Sequence, residues 1–136
     1  MDSSSQISEE ESWHLAYGVF VCTLEALASP AEEACKVMGY VNTAWELRDD
    51  GLAGSYLLGR GYFSHDQERE IRTFLEQLDT VPVNDMPSGW SMEPNLSAMR
   101  HPAWEPIRVS ARALLASLAL VTRESHAYIE SLGNAP

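Results

Sequence analysis

The sequence predicts an all-α fold: a single-domain bundle of four main helices plus one or two short ones. Three observations predict it. Ser8 with Glu11, Ser29 with Glu32 and Ser64 with Gln67 have capping-box spacing, in which a hydroxyl and a side chain three residues on satisfy the first free N–H groups of a helix. Apolar residues recur at helical spacing behind these boxes and again near the C-terminus. Alternating Val/Ile/Thr runs and Asn-Gly or Asp-Gly turns, the signals of strands and hairpins, are missing.

The stretch from Pro106 to Leu132 reads as the longest helix and as the element against which the rest packs. Ile107, Ala111, Leu114, Leu118, Val121, Ser125, Ile129 and Leu132 fall on one stripe, about seven turns long at ~3.6 residues per turn. Pro106 suits the first turn, and Gly133 suits a left-handed stop.

Ahead of it, Met1 to Ile7 is a Ser-rich polar tail, expected to fray. The first helix then carries Trp13, Ala16, Tyr17, Phe20, Val21, Leu24 and Leu27 on one face, and Leu15, Val19 and Cys22 on the other. A helix apolar on both sides calls for cover on both, from the rest of the chain or from a partner.

Ser29 and Pro30 open a second helix, predicted to run to Asp50 and stop at Gly51. Ala34, Val37, Met38, Val41 and Trp45 form its inward stripe, opposite Glu32, Lys36, Thr43, Glu46 and Asp50. Leu52 to Leu58 leaves room for a short helical turn among glycines. The box at Ser64 starts a helix to about Asp79, with Ile71, Phe74, Leu75 and Leu78 inward. Residues 80–105 read as an irregular loop, broken by Pro82, Pro87, Pro94 and Pro102 and bearing Met86, Trp90, Met92, Met99 and Trp104. It has room for one helical turn near Asn95–Arg100.

Hydrophobic residues are 45% and charged residues 21%, the make-up of a folded globule. The net charge is −11, and residues 1–80 hold 15 acidic against 5 basic side chains. Such a field repels nucleic acid and anionic membrane and draws a basic partner, or it simply keeps the protein in solution. Cys22 and Cys35 lie in apolar helical patterns and are expected to be buried, reduced thiols. No apolar run approaches ~20 residues, so a membrane span is not expected and the chain reads as cytosolic.

No catalytic, cofactor-binding or metal-binding set stands out. His14, His65, His101 and His126 are scattered, and none is one helical turn from another His or a Cys. Ser64-His65-Asp66 has the letters of a triad, but adjacent residues cannot form its geometry. Gly59-Arg60-Gly61 lacks the strand and Lys-Ser/Thr of a phosphate loop and reads as a turn. Arg108, Arg112, Arg123 and His126 follow one edge of the last helix, as a basic strip or as internal salt bridges.

The acidic clusters are the best-supported polar feature. Asp66, Glu68 and Glu70 open a helix, where the dipole partly explains them. Asp49-Asp50 closes one, where the dipole opposes them. A local rule broken without visible compensation points to function, unless Arg48, Arg60, Arg69 or Arg72 pairs with them. The candidate partner-binding set is Glu46, Asp49, Asp50, Asp66, Glu68, Glu70 and Trp90, with the Gly-rich connection expected to let the two acidic helix ends meet.

In type, the segments Ala44-Trp45-Glu46-Leu47-Arg48-Asp49-Asp50 and Ser64 to Asp79 resemble bacterial immunity proteins that neutralise toxins of contact-dependent and polymorphic toxin systems. The resemblance covers about half of the chain and matches no specific motif. It implies a non-enzymatic protein whose carboxylates cover the basic active-site cleft of a cognate toxin, with an aromatic anchor at the centre. Two alternatives stay open: a nucleic-acid mimic or phage- or host-directed inhibitor, and a helical ligand-binding or enzymatic bundle with a pocket under residues 80–105.

Overall fold

The computed structural model describes residues 8–133, so the Ser-rich tail lies outside the described residues. Seven α-helices and two 3-10 turns make up the described chain, with no strand among them. They are α1 (Glu9–Ala28), α2 (Ala31–Met38), α3 (Thr43–Leu52), a 3-10 turn (Ala53–Leu57), α4 (His65–Asp79), a second 3-10 turn (Val83–Asp85), α5 (Met92–Met99), α6 (Trp104–Ser117) and α7 (Ala119–Gly133).

The all-helical expectation holds, but the count rises because two predicted helices are each two. The break after Met38 is made by Gly39, a left-handed cap at φ 73° whose N–H reaches the Cys35 and Lys36 carbonyls. Tyr40 and Asn42 are also left-handed, at φ 58° and 43°. The break after Ser117 has no Gly or Pro. Leu118 sits at φ −94°, ψ 6°; the Gln67 amide donates to the Ser117 carbonyl and the Tyr17 hydroxyl reaches the Leu118 carbonyl. Long-range side chains thus occupy the carbonyls at the interruption. Gly133 is still helical, and the residues beyond it lie outside the described ones.

The chain is organised around α1 rather than around its C-terminal helices. Trp13, Tyr17, Phe20, Leu24 and Leu27 are almost fully buried, against α6, α7, α3 and the first 3-10 turn. The α6–α7 pair runs antiparallel along the whole of α1. At one end Arg108 and Arg112 donate to the Ser29 and Ala28 carbonyls, supplying the cations that the last turn of α1 lacks. In the middle Tyr17 meets the Thr122 hydroxyl at 2.7 Å, and at the other end His14 Nδ1 meets the Ser125 hydroxyl at 2.7 Å. Of the predicted strip, Arg108 and Arg112 are thus engaged within the fold, while Arg123 and His126 are exposed. The inward stripe of α6–α7 is as predicted through Ser125, and Leu132 is exposed.

Caps decide several helix starts. Ser64 and Gln67 close a full capping box, and Ser8 receives the Glu11 N–H at 3.0 Å. Ser29 departs from expectation. It ends α1, its hydroxyl donating back to the Glu25 carbonyl, and Pro30 takes the cap position of α2. Gly51 does not stop a helix either: a Cβ there would meet Leu78 Cδ2 at 2.4 Å. It lets α3 lie directly on α4.

Residues 80–105 are more ordered than predicted. Val81, Val83, Met86, Leu96, Met99 and Trp104 are buried, while Trp90 and Met92 stay outside. Helix α5 has Pro94 in its first turn and reaches two turns rather than one.

Two burial expectations fail. Cys35 is buried, and burial raises its thiol pKa, but Cys22 is exposed. It shares the outer face of α1 with Leu15 and Val19, 48% and 59% exposed. Val37 and Trp45 were predicted inward and are 59% and 38% exposed, whereas Thr43 is fully buried. The break at Gly39 to Asn42 rotates α3 relative to α2, which turns Trp45 outward and Thr43 inward; Val37 precedes the break and lies off the inner side of α2, which Ala31, Ala34 and Cys35 fill. Trp13→Ala is therefore expected to destabilise by about 3–5 kcal/mol through the cavity it leaves, and Trp45→Ala by less than ~1 kcal/mol. Chemical denaturation of both variants checks this. Equal losses would contradict the orientation of α3.

Candidate functional site

Thr43, Ala44, Leu47 and Gly51 fill the inner side of α3. At 100° per residue, Trp45, Glu46, Asp49 and Asp50 then share the outer side. Glu46 and Asp50 make no ion pair among the described residues, and Asp49 has only Arg48 at 3.9 Å. Arg48 itself turns to Asp79, donating to its carboxylate at 3.0 Å and its carbonyl at 3.1 Å. No basic residue occupies the last turn of α3, so the two carboxylates still oppose the helix dipole there.

Trp90 stands beyond the other end of this row, on a turn held by two asparagines. Asn42 N–H donates to the Gly89 carbonyl at 2.9 Å, and Gly89 N–H to Asn42 Oδ1 at 3.1 Å. Asn95, fully buried, accepts the Thr43 N–H at 2.8 Å. Its amide donates to the carbonyls of Tyr40, Ser91 and Gly89 at 2.7, 2.7 and 3.1 Å, sharing two hydrogens among three acceptors. These bonds support the left-handed Tyr40 and Asn42 and fix both neighbours of Trp90. The indole, 82% exposed, is thus projected from a rigid backbone.

The acidic residues of α4 are not part of this surface. Gly51 abuts Leu78 and Arg48 pairs with Asp79, so the last turn of α3 lies at the C-terminal end of α4. Asp66 is 13 residues earlier, roughly 20 Å away along the axis at 1.5 Å per residue. The two acidic ends do not meet. The α4 acids also have partners at home. Asp66 pairs with Arg69 at 3.2 Å, and Glu70 accepts from the Ser117 hydroxyl. Glu68 binds Arg72 and accepts the Gly59 N–H, which fastens the Gly59–Gly61 turn.

His14 and Ser125 form a Ser–His contact that sequence spacing did not show. Both are buried, and the ring is stacked on Tyr128 at 4.2 Å and edge-on to Trp13 and Tyr62. Burial lowers the His14 pKa, against the raising effect of Glu10, which favours the neutral ring. With its hydroxyl covered the pair links α1 to α7. Among the described residues no three His, Cys, Asp or Glu side chains gather as a metal-binding group. Four surface grooves of the bundle are lined by residues outside 80–105, and Val81, Val83, Met86, Leu96, Met99 and Trp104 of that segment are buried in the core.

Of the sequence candidates, Glu46, Asp49, Asp50 and Trp90 lie along or beside α3, and Asp66, Glu68 and Glu70 lie elsewhere. Trp45, Asn42 and Asn95 were missed. Asn95 is expected to be the weak point of the assembly. Asn95→Ala leaves the Thr43 N–H and several carbonyls unpaired, lowering stability by about 2–4 kcal/mol and dropping the order parameters of residues 89–91 below ~0.6. Denaturation and NMR relaxation measure the two. A loss under ~1 kcal/mol with unchanged order would mean that the clamp does not hold Trp90.

Comparison of the chain with protein-family models, with curated proteins and with solved structures gives no match in any of the three.

Proposed function

We propose that this is a non-enzymatic acidic binding protein that neutralises a basic protein by covering its active-site cleft, as the resemblance to immunity proteins implies. The partner that fits is a toxin domain with a cationic cleft. The contact surface is the outer row of α3 with the Trp90 turn.

One observation carries this reading: seven of the nine Lys and Arg side chains are engaged within the fold, while Glu46 and Asp50 have no ion pair among the described residues and Asp49 has only a 3.9 Å contact with Arg48. Arg48, Arg69, Arg72, Arg100 and Arg108 sit in ion pairs. Arg60 lies over the Tyr56 ring, and Arg112 binds the Ala28 carbonyl. Glu46 and Asp49 are exposed and Asp50 half-buried, and Asp49 and Asp50 sit in the last turn of α3, at the negative end of its dipole. A partner's Lys or Arg side chains would relieve that repulsion, while the negative field accelerates encounter. The rigid indole of Trp90 supplies the short-range anchor at little ordering cost.

The partner is captured from extracts of the source cells, and its rates are then measured against variants. Asp49→Asn with Asp50→Asn is expected to slow association about ten-fold at low salt and to flatten its dependence on ionic strength. Its folding stability should hold or rise by a few tenths of a kcal/mol as the dipole conflict is relieved. Trp90→Ala is expected to speed dissociation about 30-fold or more, with stability unchanged because the side chain is exposed. A captured partner that is not basic, or unchanged rates in both variants, would overturn the proposal.

A further inference from the structure

The outer face of α1 is an apolar trough that nothing among the described residues covers. Two open grooves meet on it. One runs between α1 and the first 3-10 turn, from Ser12 and Tyr56 to Val19. The other continues past Cys22 to Val37 and Ala26. Val19 and Asp50 line both. From Ser12 to Ala26 the trough follows α1 for roughly 21 Å at 1.5 Å per residue. That is the length of a helix of about four turns.

Gly18 lies in the floor of this trough, in the middle of a 20-residue helix. Glycine there weakens the helix relative to alanine, and no close contact within the fold requires it, because a Cβ at Gly18 would meet nothing within 4 Å. The missing side chain opens the surface to close approach by another backbone. Asp50 lines the same groove, half-buried and without an ion pair among the described residues. A carboxylate at the middle of an apolar groove selects a cation.

We infer that the trough along α1 is a docking site for a cationic amphipathic helix of about four turns, carried by the protein's partner. Apolar side chains at helical spacing rest on Leu15, Val19 and Val37, the two backbones approach at Gly18, and a Lys or Arg at mid-length meets Asp50. A second copy of this chain fits less well. A two-fold contact would set the two Asp50 sites on facing troughs, between chains that each carry −11. The inference shares with the proposed function the positive charge of the partner and one residue, Asp50; the rest of its surface and its test, on Gly18, Val19 and Cys22, are separate.

The probe is a fluorescein-labelled, hydrocarbon-stapled 16-residue helix with Leu at helical spacing and a central Lys pair, beside a twin bearing Glu for Lys. Saturable binding of the Lys helix is expected, with the twin at least ten-fold weaker. Val19→Arg and Gly18→Leu should each weaken it at least ten-fold, and Trp90→Ala should not change it. Gly18→Leu should melt no lower than the parent, which shows that the fold is intact. Bound helix should slow thiol labelling of the exposed Cys22 at least five-fold. Absence of saturable binding, unchanged Cys22 labelling, or full binding to Gly18→Leu would overturn this inference and leave the α3 site standing. Equal or tighter binding of the Glu twin would overturn it together with the cationic partner. A dimer in sedimentation that Val19→Arg abolishes would assign the trough to a second copy and overturn it as well.

Discussion

The fold depends on the burial of one face of α1 against the antiparallel α6–α7 pair. Trp13, Tyr17, Phe20, Leu24 and Leu27 supply the apolar area, and polar contacts at both ends and the middle fix the register. Arg108 and Arg112 do two things at once. They satisfy the last carbonyls of α1 and place positive charge at the negative end of its dipole. The same contacts engage two of the few cations within the fold, Arg108 with a side chain only 13% exposed.

That economy of cations shapes the surface. Each arginine that closes a helix end or pairs within the bundle is one fewer to offset the acidic exterior. Compensation reaches the α4 acids, through Arg69, Arg72 and Ser117. It reaches the outer row of α3 only as a 3.9 Å contact of Arg48 with Asp49, because Arg48 is turned toward Asp79. The Asn42–Asn95 clamp then sets a rigid, exposed indole beyond that row. A charged row that recruits and an aromatic that holds are different physical devices, one acting on association and the other on dissociation.

Local signals carried much of the fold in the sequence. The boxes at Ser8 and Ser64 and the stripes on α1, α4 and α6 depend on neighbours a few residues apart. What failed was made at long range. The interruption at Leu118 needs Gln67 and Tyr17, and the turn at Tyr40–Asn42 needs Asn95 and Gly89. Missing that turn inverted the phase of α3, so Trp45 was read as core. The acids at Asp49 and Asp50 stood out because they break the dipole rule. Their separation from Asp66 did not, since it depends on where Gly51 lets α3 cross α4. Trp90 stood out only as an aromatic in a loop; its rigidity comes from Asn42, 47 residues away from Gly89 in the chain.

The central claim is that a partner lies across α3 and the Trp90 turn, which amide hydrogen exchange of the protein, free and bound to its captured partner, tests most directly. Slowed exchange is expected at residues 86–92 and at the exposed Trp45 and Glu46 of α3, with the groove between α4 and α6 unchanged. Protection confined to the α4–α6 groove, where Asp66 and Glu70 lie, would contradict it.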